Sequence, residues 1–161
     1  MTWGNPPKFV PTKPKQVASK VIQPEDIAGD TEHSQQSALF AWAALNCGQY
    51  PSLAYMFAIP NGFFGSAQQK AKMKAEGLRT GVCDVMLPYP IHVGGPLNFK
   101  QYYGAFIEMK IEKYRYNKDG GCSEDQIDFI DFVASQGYYV KVCYSWEEAR
   151  DVIVNYLDGK L

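Results

Sequence analysis

Ala105-Phe106-Ile107-Glu108-Met109-Lys110-Ile111 is an apolar run with an acid and a base set two positions apart inside it. Preceded by Gly104, it reads as a buried strand. Strand side chains alternate between faces, so Glu108 and Lys110 point the same way about 6 to 7 Å apart. Phe106 continues their row, while Ile107, Met109 and Ile111 line the other face. A second apolar run, Val82 to Leu87, follows Gly81 and carries Asp84 in its middle. Two carboxylates and an ammonium thus come together, whereas a purely structural buried ion pair would cost desolvation and stabilise weakly. Hard oxygen donors of this kind suit Mg2+ or Mn2+, and a lysine beside them can orient or deprotonate a water and offset developing phosphate charge. The chemistry implied is phosphodiester hydrolysis.

Outward from these strands the periodicities are helical. Residues 31–46 form a helix capped by Asp30 or Thr31, with Glu32, Gln36, Leu39, Phe40 and Ala43 on one stripe. Leu53 to Ile59 reads as a short strand ended by Pro60-Asn61-Gly62. Ser66 and Gln69 make a capping box for a basic helix that stops near Gly77; Ser123 and Gln126 make another for a helix ended by Gly137. Tyr138 to Tyr144 is a strand, and Ser145 to Glu148 starts a last helix that buries Ala149, Val152, Ile153, Tyr156 and Leu157. The segment 88–101, punctuated by Pro88, Pro90 and Gly94-Gly95-Pro96, reads as a long loop. The order α, β, α, β, β, α, β, α predicts an α/β fold with a central mixed four-stranded sheet flanked by helices.

With 161 residues and 46% hydrophobic composition the chain supports one core. Up to Pro24 it carries five prolines and the lysines 8, 13, 15 and 20 with no acid, so residues 1–30 are expected to be a basic, flexible arm ahead of a domain over 31–161. A net charge of −1 excludes a polycation, leaving nucleic-acid affinity to local patches. Cys47, Cys83, Cys122 and Cys143 are scattered without a CxxC pair, which disfavours zinc and fits reduced thiols in a cytoplasm. No stretch is apolar for long enough to span a membrane.

Several residues keep two readings. Glu32 is either a first-turn acid favoured by the helix dipole or a member of the acidic site. Gln126 is either the third residue of a capping box or a polar group for the site. Lys70, Lys72, Lys74 and Arg79 are either a solvated face or phosphate contacts. Lys113-Tyr114-Arg115-Tyr116 alternates cations with aromatics, which suits either packing or stacking against nucleic acid. His33 and His92 read as surface polar residues.

The acid heading the first helix, Ile-Pro-Asn61-Gly62, Gly81-Val-Cys-Asp84, Phe-Ile-Glu108-Met-Lys110 and Ser123-Glu-Asp-Gln126 together resemble a stand-alone VRR-NUC domain of the PD-(D/E)xK nuclease superfamily. The resemblance covers about residues 31 to 150 and departs from the superfamily's namesake motif in having no proline before Asp84. It implies a restriction-endonuclease-like fold in which Asp84, Glu108 and the main-chain carbonyl of Met109 hold Mg2+ or Mn2+, with Glu32 completing or supporting the sphere. It implies further that Lys110 acts on the attacking water and Gln126 positions water or phosphate. Asn61 and Gly62 would border the cleft, and Lys70, Lys74 and Arg79 join Asn61 as candidate DNA contacts. Stand-alone members resemble junction-resolving enzymes of phage or bacteria that work as homodimers in the cytoplasm, whereas fused members act on flaps. Alternatives are a non-catalytic DNA-binding module on the same fold and a restriction-type nuclease.

Overall fold

The computed structural model describes residues 22–60, 66–95 and 97–161. The chain runs α1 (Pro24–Ile27), α2 (Glu32–Asn46), β1 (Phe57–Ala58), α3 (Ala67–Ala75), β2 (Val85–Leu87), β3 (Ile91–Val93), β4 (Lys100–Tyr102), β5 (Ala105–Met109), α4 (Glu124–Ser135), β6 (Tyr139–Cys143) and α5 (Trp146–Leu157). The main sheet has the order β1-β2-β5-β6, with β1/β2 and β2/β5 antiparallel and β5/β6 parallel. This is the expected mixed four-stranded sheet. The one parallel pair needs a crossover, and α4 provides it.

Alternation along the strands assigns the layers. Val85, Leu87, Ala105, Ile107 and Met109 point into a core closed by Ala38, Leu39, Trp42 and Ala43 of α2 and by Ala149, Ile153 and Tyr156 of α5. The opposite face carries the row Phe57, Met86, Phe106 and Val140 in register. There α4 packs, with Phe129 edge-on to Phe106 at 5.4 Å between ring centroids. All four helix starts read from the sequence are present: Thr31, Ser66, Ser123 and Ser145 each accept a hydrogen bond from a first-turn backbone N–H.

Three expectations need correction. Leu53 to Ile59 is not a continuous strand: Pro51–Tyr55 forms a 3-10 turn, and only Phe57–Ala58 pairs with β2. Pro51, which lacks an N–H, suits the first position of a turn, and that turn swings Leu53 into the core. The segment 88–101 is not only loop, because β3 and β4 pair as a hairpin. Ile91 is buried and the Tyr102 ring meets Tyr139 and Tyr156 at 5.5 and 6.4 Å. Finally, the folded part begins before residue 31: Pro24 is buried in α1, and Ile27 and Ala28 pack against the core. Gln35 secures this approach, its amide donating to Gly29 O at 2.7 Å and accepting from Trp146 N at 2.8 Å. Residues 1–21, including the arm lysines, lie outside the described residues, as do Asn61 and Gly62. Among the described residues no helix is long and apolar enough to cross a membrane.

Candidate active site

Val85 pairs with Ile107 across an antiparallel ladder, so the next step along each strand sets Asp84 opposite Glu108 on the same face. Asp84 sits just ahead of β2 rather than inside it. Its carbonyl accepts from Ile59 N at 2.7 Å, and its Oδ2 accepts from Met109 N at 2.8 Å. The carboxylate is thereby clamped across the gap to β5. Met109 contributes backbone here while its side chain belongs to the core on the other face.

Glu108 is 0% exposed and Lys110 5%, the two charged side chains among the buried described residues. Lys110 Nζ lies 2.8 Å from Glu108 Oε1 and 3.6 Å from Glu32 Oε1 at the head of α2. Gln126 Nε2 donates to the same Glu108 Oε1. Gln126 Oε1 accepts from Ser123 N at 2.9 Å, closing the capping box of α4. One amide therefore caps the helix with its oxygen and donates to the Glu108 carboxylate with its nitrogen. Glu32 likewise occupies the first turn of α2 and faces Lys110.

The electrostatics are unbalanced. Burial, then the Asp84 charge, push the Glu108 carboxyl up to about 7 against the pull of Lys110. Burial works against the Lys110 ammonium, but the bond to Glu108 and the charges of Glu108 and Glu32 outweigh it and hold Lys110 above its ordinary value. Glu108 and Glu32 flank the one ammonium and Asp84 acts on Glu108, so carboxylates outnumber the cation and their charges add to the upward shift of both groups. Glu108 Oε2 is buried and has no hydrogen-bond partner among the described residues. A buried oxygen left unpaired costs on the order of 1–3 kcal/mol. A divalent cation would supply both the missing partner and the missing charge. Among the described residues no three His, Cys, Asp or Glu side chains gather around one point. Two carboxylates and a carbonyl nevertheless fit Mg2+, which binds through one or two carboxylates and completes its shell with water and phosphate.

Other groups near the cluster were not apparent from sequence. Thr80 Oγ1 donates to Asp125 Oδ2 at 2.9 Å, and a Cβ on Gly81 (φ +81°) would stand 2.5 Å from the Asp125 carbonyl group. The lead-in to Asp84 is thus pressed against the start of the helix that carries Gln126, and only glycine permits that approach. Cys122 is half-buried, its thiol pushed up by burial and by the Glu108 charge. Neither contact has a local signature. Lys70, Lys74 and Arg79 are exposed, and no residue of α3 is buried.

The fold matches a solved VRR_NUC domain protein with a TM-score of 0.59 and 23% identity, over 81% of this chain and 91% of that one. The chain has the fold of a VRR-NUC domain. No protein-family model matches the sequence, and no curated protein does. In this fold the mixed sheet sets Asp84, just ahead of β2, beside Glu108 on the neighbouring β5, with Lys110 following at the strand end.

Proposed function

We propose that this protein is a divalent-metal-dependent, structure-selective DNA endonuclease that hydrolyses phosphodiester bonds in branched DNA such as four-way junctions. The observation that carries the reading is Glu108: a fully buried carboxylate with one oxygen unpartnered, set opposite Asp84 and ion-paired to Lys110. A carboxylate held so is costly to the fold and useful as a ligand.

Asp84, Glu108 and the Met109 carbonyl would hold Mg2+ or Mn2+. Such an ion, when bound, would lower the pKa of a water and offset charge on the phosphoryl oxygens. Lys110, held between the Glu108 and Glu32 carboxylates, would orient or deprotonate the attacking water and offset charge on the phosphate. Glu32 supports the sphere through Lys110. Gln126 fixes the Glu108 carboxylate through one oxygen, and the other oxygen would be left to serve as a ligand. Asn61, Lys70, Lys74, Arg79 and the lysines of the first 21 residues would contact DNA phosphates, whose counterions are released on binding. Free thiols at all four cysteines suit action in a cytoplasm.

One site cuts one strand, so symmetric cleavage of a junction calls for a two-fold dimer. Within 88–103, Ile91 and Tyr102 are consumed by the chain's own core, but Leu97 is 97% exposed and Phe99 63%. Those two side chains are the proposed contact. Light scattering should show a dimer that charged substitutions at Leu97 and Phe99 dissociate. A monomer making paired nicks would refute it.

The deciding experiment presents junction, flap, single-strand and linear duplex DNA to the protein with Mg2+, Mn2+ or EDTA. Junction cutting that EDTA abolishes is expected. Binding without cutting in either metal would make the protein a DNA-binding module, and preferential cutting of linear duplex would make it a restriction-type nuclease.

A further inference from the structure

We propose that Tyr116 is a stacking platform for an unstacked nucleobase beside the scissile phosphate, and hence that the ring selects branched DNA. This rests on the nuclease reading above and adds to it the feature of the substrate that is recognised.

The loop 111–122 joins Lys110 to the helix carrying Gln126, so both of its ends meet the carboxylate cluster. It is built rigidly. Arg115 Nε donates to both oxygens of Glu112 at 2.8 and 2.9 Å, and its NH2 group to Glu148 Oε2 at 2.8 Å. The guanidinium also lies over the Tyr144 ring, 4.4 Å from the centroid. Tyr144 in turn donates from its hydroxyl to Gly120 O at 3.1 Å and from its backbone N to Glu148 Oε2 at 2.9 Å. Successive turn bonds fix the backbone, with Asn117 N donating to Tyr114 O at 3.0 Å and Gly120 N to Asn117 O at 3.0 Å. The brace is adjacent to the site, because Lys110 N donates to Cys143 O at 2.8 Å and Tyr144 is the next residue.

Of the four alternating residues in this loop, three are engaged. Arg115 is held as described, and Lys113 Nζ lies over the Tyr114 ring at 4.7 Å. Tyr116 is 89% exposed. Its ring takes no part in the aromatic and cation contacts that hold its neighbours among the described residues, although the loop beneath it is ordered by at least six hydrogen bonds. A tyrosine held out on a fixed loop offers contact area at small entropic cost. The flanking Lys113 and Lys118 carry the charge that a phosphate backbone needs. Ring plus cations is the combination that binds single-stranded nucleic acid without reading its sequence. In a continuous duplex no base face is open to it. At a branch, flap or gap one is.

The test uses junctions and flaps with 2-aminopurine at the branch point, compared with linear duplex, in EDTA so that strands stay intact. Tyr116→Ala should weaken branched-DNA binding by about tenfold or more, the scale of one lost base stack, and abolish quenching of the probe. Linear duplex affinity and Tm should not change. Tyr116→Phe and Tyr116→Trp should restore both binding and quenching. Wild type that binds branched DNA no better than Tyr116→Ala does, or equal loss on linear duplex, would overturn the stacking role while leaving the nuclease reading intact. So would failure of Tyr116→Phe to restore, which would place the effect in the hydroxyl. Wild type that neither binds nor cuts DNA would overturn both.

Discussion

Two carboxylate–cation pairs of the same length sit close together and have opposite characters. Glu108 and Lys110 meet at 2.8 Å in the interior, and Glu148 and Arg115 meet at 2.8 Å near the surface. The Glu148 carboxylate accepts from two Arg115 nitrogens and the Tyr144 amide, while the Glu148 backbone N–H donates to Ser145 Oγ. Glu108 is crowded on one oxygen by Lys110 and Gln126 and bare on the other. The Glu148–Arg115 pair is a brace whose carboxylate oxygens are both engaged. The Glu108–Lys110 pair is incomplete, and incompleteness in a buried polar cluster marks a place where the fold has given up stability for something else. Equal geometry in an ion pair therefore says little about its purpose; the remaining valences decide.

The largest break of this contrast should come from Asp84→Asn. It keeps an acceptor for Met109 N, removes one of the competing negative charges, and should cut cleavage of a four-way junction by about a thousandfold, the scale of a lost electrostatic contact to the transition state. The metal-free protein should melt no lower than wild type, because repulsion with Glu108 is relieved. Comparable cutting by wild type and variant would remove Asp84 from the site, and a large fall in Tm would show the charge to be structural.

A divalent ion should next make the incomplete pair behave like the complete one. Mg2+ at a hundredfold excess over its Kd would stabilise the fold by about 2.7 kcal/mol. Glu108 is held at about 7 when folded against 4.5 ordinarily, so between these values the folded chain carries the extra proton. In the metal-free protein this contribution to stability is full below the lower value and is lost as pH rises toward 7. The ion competes with that proton. Melting curves should thus show a larger Mg2+-induced rise at about pH 8 than at about pH 5.5, and none in Asp84→Asn. An equal rise at both pH values would dissociate the ion from Glu108.

Breaking the brace should matter less. Arg115→Ala removes a half-exposed pair, a class that contributes little, so Tm should fall slightly and the Mg2+-induced rise should persist. Loss of that rise would mean the two pairs are coupled through Tyr144. The smallest effects belong outside both regions. Lys70→Ala, Lys74→Ala and Arg79→Ala should each lower the salt slope of DNA binding by about one, without changing preference among DNA structures; an unchanged slope would make α3 a solvated face.

The parts of this arrangement that sequence made legible are those written in local periods. Glu108 and Lys110 could be placed on one face from strand alternation alone, and Ser123 with Gln126 from the spacing of a capping box. What escaped depends on contacts between distant segments. The β3–β4 hairpin has three-residue strands with no distinctive alternation, and its pairing is supported by the aromatic contacts of Tyr102 with Tyr139 and Tyr156. Pro24 and Ile27 looked like part of a basic arm because their burial depends on α2, not on their neighbours. The clasp from Thr80 and Gly81 to Asp125 spans segments that no local pattern connects. Gln126 was legible as two incompatible roles, and became one residue only when the orientation of its amide was known.

That orientation has a bearing on how such a chain can change over generations. The amide of Gln126 has one oxygen and one nitrogen, and each is committed: the first to the backbone of Ser123, the second to Glu108. Glutamate at this position would keep the cap and set a like charge against Glu108; lysine or arginine would keep a donor and forfeit the cap. Mutational drift in the helix start and drift in the carboxylate cluster are consequently not separate walks. A single codon carries both, and few of its one-step neighbours are passable.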